Sequence, residues 1–173
     1  MLKLSMSNII IDNDLRLRPI DLEQDLENAL RWYSDPEVLY FSEASDVPFD
    51  KTLTMGMYNY FLKRGEVYII EVLRGGNWFQ VGDAVITQDS IPIVIGEKEF
   101  RGKGFGKRVL RMMVNRAKEI GYEKMTVSGI YTYNHRSRHI YETAGFKVVD
   151  TKLDDEGREV WIMTFEINKR TGQ

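Results

Sequence analysis

The sequence predicts a single domain of mixed α/β class. Three observations carry that reading. Hydrophobic periodicity switches along the chain in the order β-αα-βββ-α-β-α-ββ, the pattern of a mixed architecture. At 173 residues the chain is long enough for one hydrophobic core and short for two. Its 43% hydrophobic and 29% charged residues are those of a globular chain, neither disordered nor membrane-embedded.

Residues 1–14 read as a loose leader. Leu15-Arg-Leu-Arg-Pro19 alternates apolar and polar side chains, as a short strand closed by proline would. Asp21 is placed to cap a helix in which Leu22, Leu26, Ala29, Leu30 and Tyr33 recur at steps of three and four. Ser34-Asp-Pro36 breaks it, and residues 35–49 read as a polar loop with the aromatic members Tyr40, Phe41 and Phe49. A second helix is expected from about Asp50 to Lys63. Val67–Leu73 and Trp78–Thr87 form a hairpin about Arg74-Gly-Gly-Asn77. Ile91–Gly96 follows as a strand, with Pro92 at its start or at a bulge because proline cannot donate to a ladder.

The next helix, about Gly104 to Ile120, sets Leu110, Met113, Val114, Ala117 and Ile120 on one face and Arg108, Arg111, Asn115 and Lys118 on the other. Gly121 ends it. Lys124–Ile130 is a strand, and Asn134 caps a helix that stops at Gly145. Phe146–Leu153 and Arg158–Ile167 are strands joined by the Asp154-Asp-Glu-Gly157 turn, and 168–173 is a polar tail.

Composition excludes several functions. Cysteine is absent, so disulfides, thiolate metal sites and a cysteine nucleophile are excluded together. No apolar run approaches the ~20 residues of a membrane span, and the only apolar block near the N-terminus, Ile9-Ile10-Ile11, is followed by Asp12 and Asp14. The expectation is therefore a cytoplasmic protein without membrane contact. Net charge is −2 but unevenly laid out. Arg101 to Lys118 holds seven basic residues and no acidic one, whereas Ser34 to Asp50 holds five acidic residues and no basic one. The first stretch suits a polyanion and the second a cationic amine; either is also what a solvated face looks like. Nucleic acid is not the expected polyanion, because the overall balance is acidic and no aromatics interleave the basic helix.

The stretch Ile93 to Lys107, I-V-I-G-E-K-E-F-R-G-K-G-F-G-K, is the most informative. It opens as a strand, passes a glycine-rich turn and enters the basic helix. Gly102, Gly104 and Gly106 remove side chains where a backbone comes close to a partner. The helix N-terminus beyond them offers unpaired N–H groups and the positive end of a dipole, which suits a phosphate or pyrophosphate. A P-loop does not fit: Gly102 to Lys107 is one residue short, and Arg108 stands where the magnesium-binding hydroxyl belongs. A dinucleotide turn does not fit either, since the third glycine comes one residue early and the turn lies past mid-chain.

The second constellation is Asn134-x-x-Ser137-x-x-x-Tyr141-Glu142-x-x-Gly145-Phe146. Asn134 and Tyr141 are seven residues apart, two helical turns on one face. Two readings stand for the pair alone: a cap and a core ring needing no ligand, or an amide and a phenol that both face one.

Together the motifs resemble the GNAT superfamily of acyl-CoA-dependent N-acyltransferases. Arg101-Gly-Lys-Gly104-Phe-Gly106 matches [R/Q]-x-x-G-x-[G/A], and the run from Asn134 matches N-x-x-[A/S]-x-x-x-Y-E-x-x-G-F at the right interval. Trp32-Tyr-Ser-Asp35-Pro36-Glu-Val38 resembles a segment of the branch that includes ribosomal-protein N-terminal, polyamine and aminoglycoside acetyltransferases. The resemblance implies a central, mostly antiparallel sheet flanked by helices, acetyl-CoA as cosubstrate, a primary-amine acceptor and no metal. A homodimer is among the assemblies it implies. Residue by residue, it implies that Val94, Ile95 and Gly96 offer backbone to the pantetheine and thioester. Arg101, Gly102, Lys103, Gly104, Phe105 and Gly106 would hold the pyrophosphate, Asn134 the pantetheine arm, and Tyr141 would protonate the departing thiolate.

Trp32, Glu37, Tyr40 and Phe41 are candidates to line the acceptor cleft. No general base is assigned: no carboxylate lies between Asp89 and Glu97, and Asp83 and Glu97 are candidates by proximity alone. His135 and His139 have a zinc-compatible spacing, but Arg136 and Arg138 flank them and disfavour a cation. The expectation is direct attack by a small-molecule amine in a ternary complex. The alternatives are a protein N-terminal acetyltransferase and a non-catalytic acyl-CoA-binding module.

Overall fold

Strand alternation and the split of a sheet position everything that follows. The computed structural model describes residues 9–167. A first sheet has the spatial order β1 (Ile10–Asp12), β2 (Leu15–Pro19), β3 (Glu66–Arg74), β4 (Asn77–Ile86) and β5 (Ile93–Ile95), antiparallel throughout. A second has the order β6 (Lys124–Tyr131), β8 (Glu159–Glu166), β7 (Lys147–Leu153), also antiparallel. The sheet is antiparallel as expected, but no ladder joins β5 to β6 among the described residues, and the molecule opens between them.

β3 and β4 are apolar on both faces because both faces are covered. Ile69 and Val85 pack with Trp32 and Tyr58, from α1 (Leu22–Trp32) and α3 (Lys51–Leu62). Ile70 and Ile86 pack on the other side with Leu110 and Met113 of α4 (Phe105–Glu119). Full burial of each such aliphatic side chain contributes about 1.5–3 kcal/mol before ordering costs. The second sheet closes over the same core through Met125, Val127 and Met163, with α5 (His135–Thr143) beside α4.

The polar residues that start the helices do so by capping. Asp21, Asp50 and Asn134 accept from the backbone N–H groups of Glu23 (3.0 Å), Leu53 (2.8 Å) and Ser137 (3.1 Å). Residues 10–12 of the expected leader are instead β1, paired with β2; residues 1–8 and the tail 168–173 lie outside the described residues. The expected loop 35–49 is also corrected in part. It contains α2 (Pro36–Val38), capped by Asp35 on the Glu37 N–H, and a π-helical turn over Leu39–Glu43 that ends at Ala44 in the left-handed region (φ 48°). Wide turns of this kind recur at functional sites. No helix among the described residues is long and apolar enough to cross a membrane.

Two irregularities flank the opening. Val81 is an extra residue in β4 opposite β3, and Gly129 an extra residue in β6 opposite β8, both β-bulges. Gly82, next to the first, has no room for a side chain, since a Cβ there would fall 1.9 Å from the Val94 carbonyl oxygen.

Candidate active site

The glycine-rich turn is built by left-handed backbone. Gly102 (φ 69°) and Gly104 (φ 85°) occupy the region an L side chain avoids, at about 1–2 kcal/mol per residue. Gly106 is different: it lies inside the first turn of α4, and an added Cβ would touch only Ile140. Among the described residues the other four α-helices begin under an Asp or Asn side-chain cap. Helix α4 begins at Gly104 with no side-chain cap, so its first N–H groups stay available to an anion.

A groove of about 340 Å³ runs from this turn to the opening between the sheets. Its turn end is walled by Gly102, Gly104, Phe105, Gly106 and Lys107, and its inner end by Ile93–Ile95, Asn134 and Tyr141. Val85 N–H donates to the Pro92 carbonyl (3.0 Å), and alternation along an antiparallel pair then turns the backbone groups of Ile93 and Ile95 away from β4, into the opening. Accordingly the Ile95 carbonyl accepts from Arg101 Nε at 2.8 Å.

Arg101 lines the groove, but its guanidinium is already engaged within the protein. It donates to the carbonyls of Ile95 and Gly96 (2.6 Å), to Asp35 Oδ2 (2.8 Å) and to Glu37 Oε2 (3.0 Å). Four acceptors hold a side chain only 11% exposed, so it clamps α2 to the end of β5. Lys103 is not part of the groove wall; its Nζ stands 6.0 Å from the Phe100 ring centroid. The cations that do line the groove beside Arg101 are Lys107 and Arg136, which the motif comparison passed over.

A second cavity of about 270 Å³ lies on the α1/α3 side of the first sheet. Two carboxylates line it, the buried Asp83 on β4 and the half-buried Glu43 at the end of the π-helical turn. Asp83 is 2% exposed and accepts from the hydroxyls of Tyr58 (2.6 Å) and Tyr33 (3.1 Å). Burial raises its pKa to about 6, against the lowering effect of those two hydroxyls. Burial, and then the charge of Asp83, raises Glu43 to about 7. Burial also keeps Tyr33 and Tyr58 well above the ordinary phenol range, so both remain donors. No lysine, arginine or histidine lines this cavity among the described residues.

The two cavities share a wall made of Phe41, Ser42, Ile93, Val94, Asn134, Ser137 and Tyr141. Asn134 serves twice, accepting as the α5 cap and donating through Nδ2 to the Phe41 carbonyl at 3.2 Å. Tyr141 is buried, and its hydroxyl donates to the Ile91 carbonyl. Burial raises the phenol, so it carries its proton throughout the physiological range.

Of the four candidate acceptor residues, only Phe41 lines the second cavity. Trp32 is 1% exposed, packs where a Gly96 side chain would otherwise stand, and donates to Glu97 Oε1 at 2.8 Å. Gly96 is therefore small to admit an indole, not a ligand. Tyr40 stacks on Tyr133 outside both cavities, with ring centroids 4.7 Å apart. Glu37 belongs to the groove and is paired with Arg136 and Arg101, which hold its carboxyl below the usual range. Glu97 is tied to Arg31 and Trp32 and lines neither cavity, which leaves Asp83 of the two proximity candidates. Glu43 was visible only as one member of an acidic run. His135 lies against Trp161, with ring centroids 5.6 Å apart.

Comparison with known proteins agrees with this geometry. The family model described as an acetyltransferase (GNAT) domain matches residues 14–147. An uncharacterised protein of Methanocaldococcus jannaschii is 29% identical over 164 residues, covering 91% of this chain. The match takes in 32% of that relative, so the chain spans about a third of its length. A crystal structure of a domain from the same organism is similar with a TM-score of 0.75 and 26% identity, over 90% of this chain and 99% of that one. The spermidine N-acetyltransferase of Vibrio cholerae, solved with CoA and spermine, has a TM-score of 0.73 at 16% identity, over 90% of this chain and 96% of that one, and so shares the fold. With the glycine turn, the uncapped α4 and the matched model covering most of its length, the chain belongs to the GNAT acetyltransferase family.

Proposed function

We propose that the protein moves an acetyl group from acetyl-CoA to a primary amine of a small molecule by direct attack within a ternary complex. The observation that carries this reading is the wall shared by the two cavities. A thioester in the groove and an amine in the second cavity would meet at Val94, Asn134 and Tyr141, with no cysteine available to hold the acyl group between them. The uncapped N–H groups from Gly104 onward and Lys107 fit a pyrophosphate, and the outward backbone of Ile93 and Ile95 fits an extended amide-bearing arm. The 2% exposed Asp83 in the wall of the second cavity fits a cationic head group. The spermine bound by the Vibrio cholerae relative is consistent with a small amine.

Each residue then has a task. The Ile95 N–H, turned into the opening, stabilises the oxyanion that forms when nitrogen attacks the thioester carbonyl. Collapse breaks the C–S bond, and Tyr141 gives its proton to the sulfur. A free thiol titrates at about 8.5, and the burial that raises Tyr141 raises a thiol beside it as well, so the phenol remains a competent acid there.

The test is release of free CoA thiol from acetyl-CoA by the purified protein with polyamines, aminoglycosides, amino acids and short peptides. Turnover with a small amine supports the reading. Turnover with peptides alone would assign a protein N-terminus instead. Silence across the panel, with acetyl-CoA still raising the melting temperature, would leave a binding module.

A further inference from the structure

We propose that Asp83 and Glu43 form the amine subsite of the second cavity, Asp83 anchoring the acceptor's ammonium group and Glu43 removing its proton. The inference rests on the acetyl-transfer reading above and adds to it the base that the sequence did not supply.

Three features of the structure converge on it. First, two carboxylates line a cavity that no cationic side chain of the described residues lines. Every other buried or half-buried carboxylate near the site has its cation: Asp35 and Glu37 have Arg101, and Glu97 has Arg31. A carboxylate pair without a cation is a place for one brought by a ligand. Second, the pair sits beside the reaction point. Asp83 is directly opposite Val94 in the β4–β5 ladder, and Glu43 follows Phe41 and Ser42; all three neighbours belong to the shared wall.

Third, the two carboxylates differ in the way a charged anchor and a base should. Asp83 accepts from two phenols, which favours its ionised form. Glu43 receives no hydrogen bond and makes no ion pair among the described residues, and burial followed by the charge of Asp83 raises its carboxyl toward neutrality. A base near the working pH is best matched to proton transfer. The titratable groups facing the pair are Tyr33 just past α1, Tyr58 from α3 and Tyr141 from α5; the charge of Glu43 also reaches Tyr131 of β6.

The protons balance. The ammonium gives one proton to the Glu43 carboxylate, which later releases it to solvent. The neutral amine forms the C–N bond, and the C–S bond breaks when the resulting oxyanion collapses. Tyr141 protonates the sulfur and is restored by the second proton of the nitrogen. The products are the acetamide, CoA thiol and one proton.

The experiment compares wild type, Glu43→Gln and Asp83→Asn by thiol release from pH 5.5 to 9, beside the melting shift with acetyl-CoA. Glu43→Gln is expected to lower kcat about 10²–10⁴-fold at neutral pH and to abolish the acid limb of the profile. Asp83→Asn is expected to raise the amine KM at least about tenfold. Both should keep the acetyl-CoA shift. If Asp83→Asn does not fold, Tyr58→Phe, which takes one donor from Asp83, should raise KM more than it lowers kcat. A wild-type pH profile in Glu43→Gln, or an unchanged amine KM in the anchor variants, would overturn the assignment while leaving acetyl transfer intact. A readout independent of turnover is the titration of the two carboxyl carbons by NMR, with CoA bound and n-butylamine as probe. The amine should move both titrations to lower pH; titrations indifferent to it would overturn the subsite even in a protein that transfers nothing.

Discussion

Replacing Arg101 by methionine separates two views of a residue that the motif places among the cofactor ligands. The substitution keeps an unbranched apolar stem and removes a guanidinium that donates to Asp35, Glu37 and the carbonyls of Ile95 and Gly96. Breaking a fully buried charge pair costs about 3–5 kcal/mol. Here the carboxylates keep some solvent, at 26% and 37% side-chain exposure, and Glu37 retains Arg136, so about 2–3 kcal/mol is the better figure. At roughly 2–4 °C per kcal/mol for a chain of this size, the melting temperature of the ligand-free protein should fall by about 4–12 °C. Thermal unfolding measures this, and calorimetric titration with CoA at two salt concentrations measures the rest. The affinity for CoA should weaken less than about tenfold (1.4 kcal/mol), with the same salt dependence as wild type. A variant that melts within about 1 °C of wild type, yet binds CoA more than about tenfold more weakly and with less response to salt, would refute the clamp and put the guanidinium on the phosphates.

Tyr141→Phe should lower kcat about 100-fold or more while leaving the acetyl-CoA dissociation constant within about threefold, as read by steady-state kinetics beside calorimetry. Gly96→Ala would set a Cβ 2.1 Å from the Trp32 ring, and overpacking of this kind should cost about 1–3 kcal/mol, measured as a lower denaturant midpoint. The folded protein holds a proton on Asp83 up to about pH 6, above the ordinary 3.8. The native state therefore binds more protons than the unfolded chain between those values, and this residue's contribution to stability declines as pH rises through them. Asp83→Asn should accordingly melt with less loss than wild type on going from pH 4.5 to 7, in paired thermal scans; equal losses would contradict the buried carboxyl.

What was legible in the sequence is what neighbouring residues determine among themselves. Helix faces, the caps at Asp21 and Asn134, the β3–β4 hairpin and the glycine-rich turn at 102–106 each depend on residues within a turn or two, so their spacing alone announces them. The groove was legible for the same reason, because its glycine-turn end is one continuous turn and helix start. What the sequence could not disclose depends on partners far along the chain. Arg101 looked free until the fold set Asp35 and Glu37 against it, and Glu37 looked like an amine ligand until Arg101 and Arg136 neutralised it. Trp32 looked like a cleft aromatic until Gly96 left room for it in the core. Glu43 and Asp83 are forty residues apart, one in an irregular turn and one mid-strand, and neither carries a local signal. Tertiary packing alone brings them to one cavity that no cation lines among the described residues, because charge pairing and burial are settled by which surfaces meet, whereas periodicity and capping are settled within a few residues of chain.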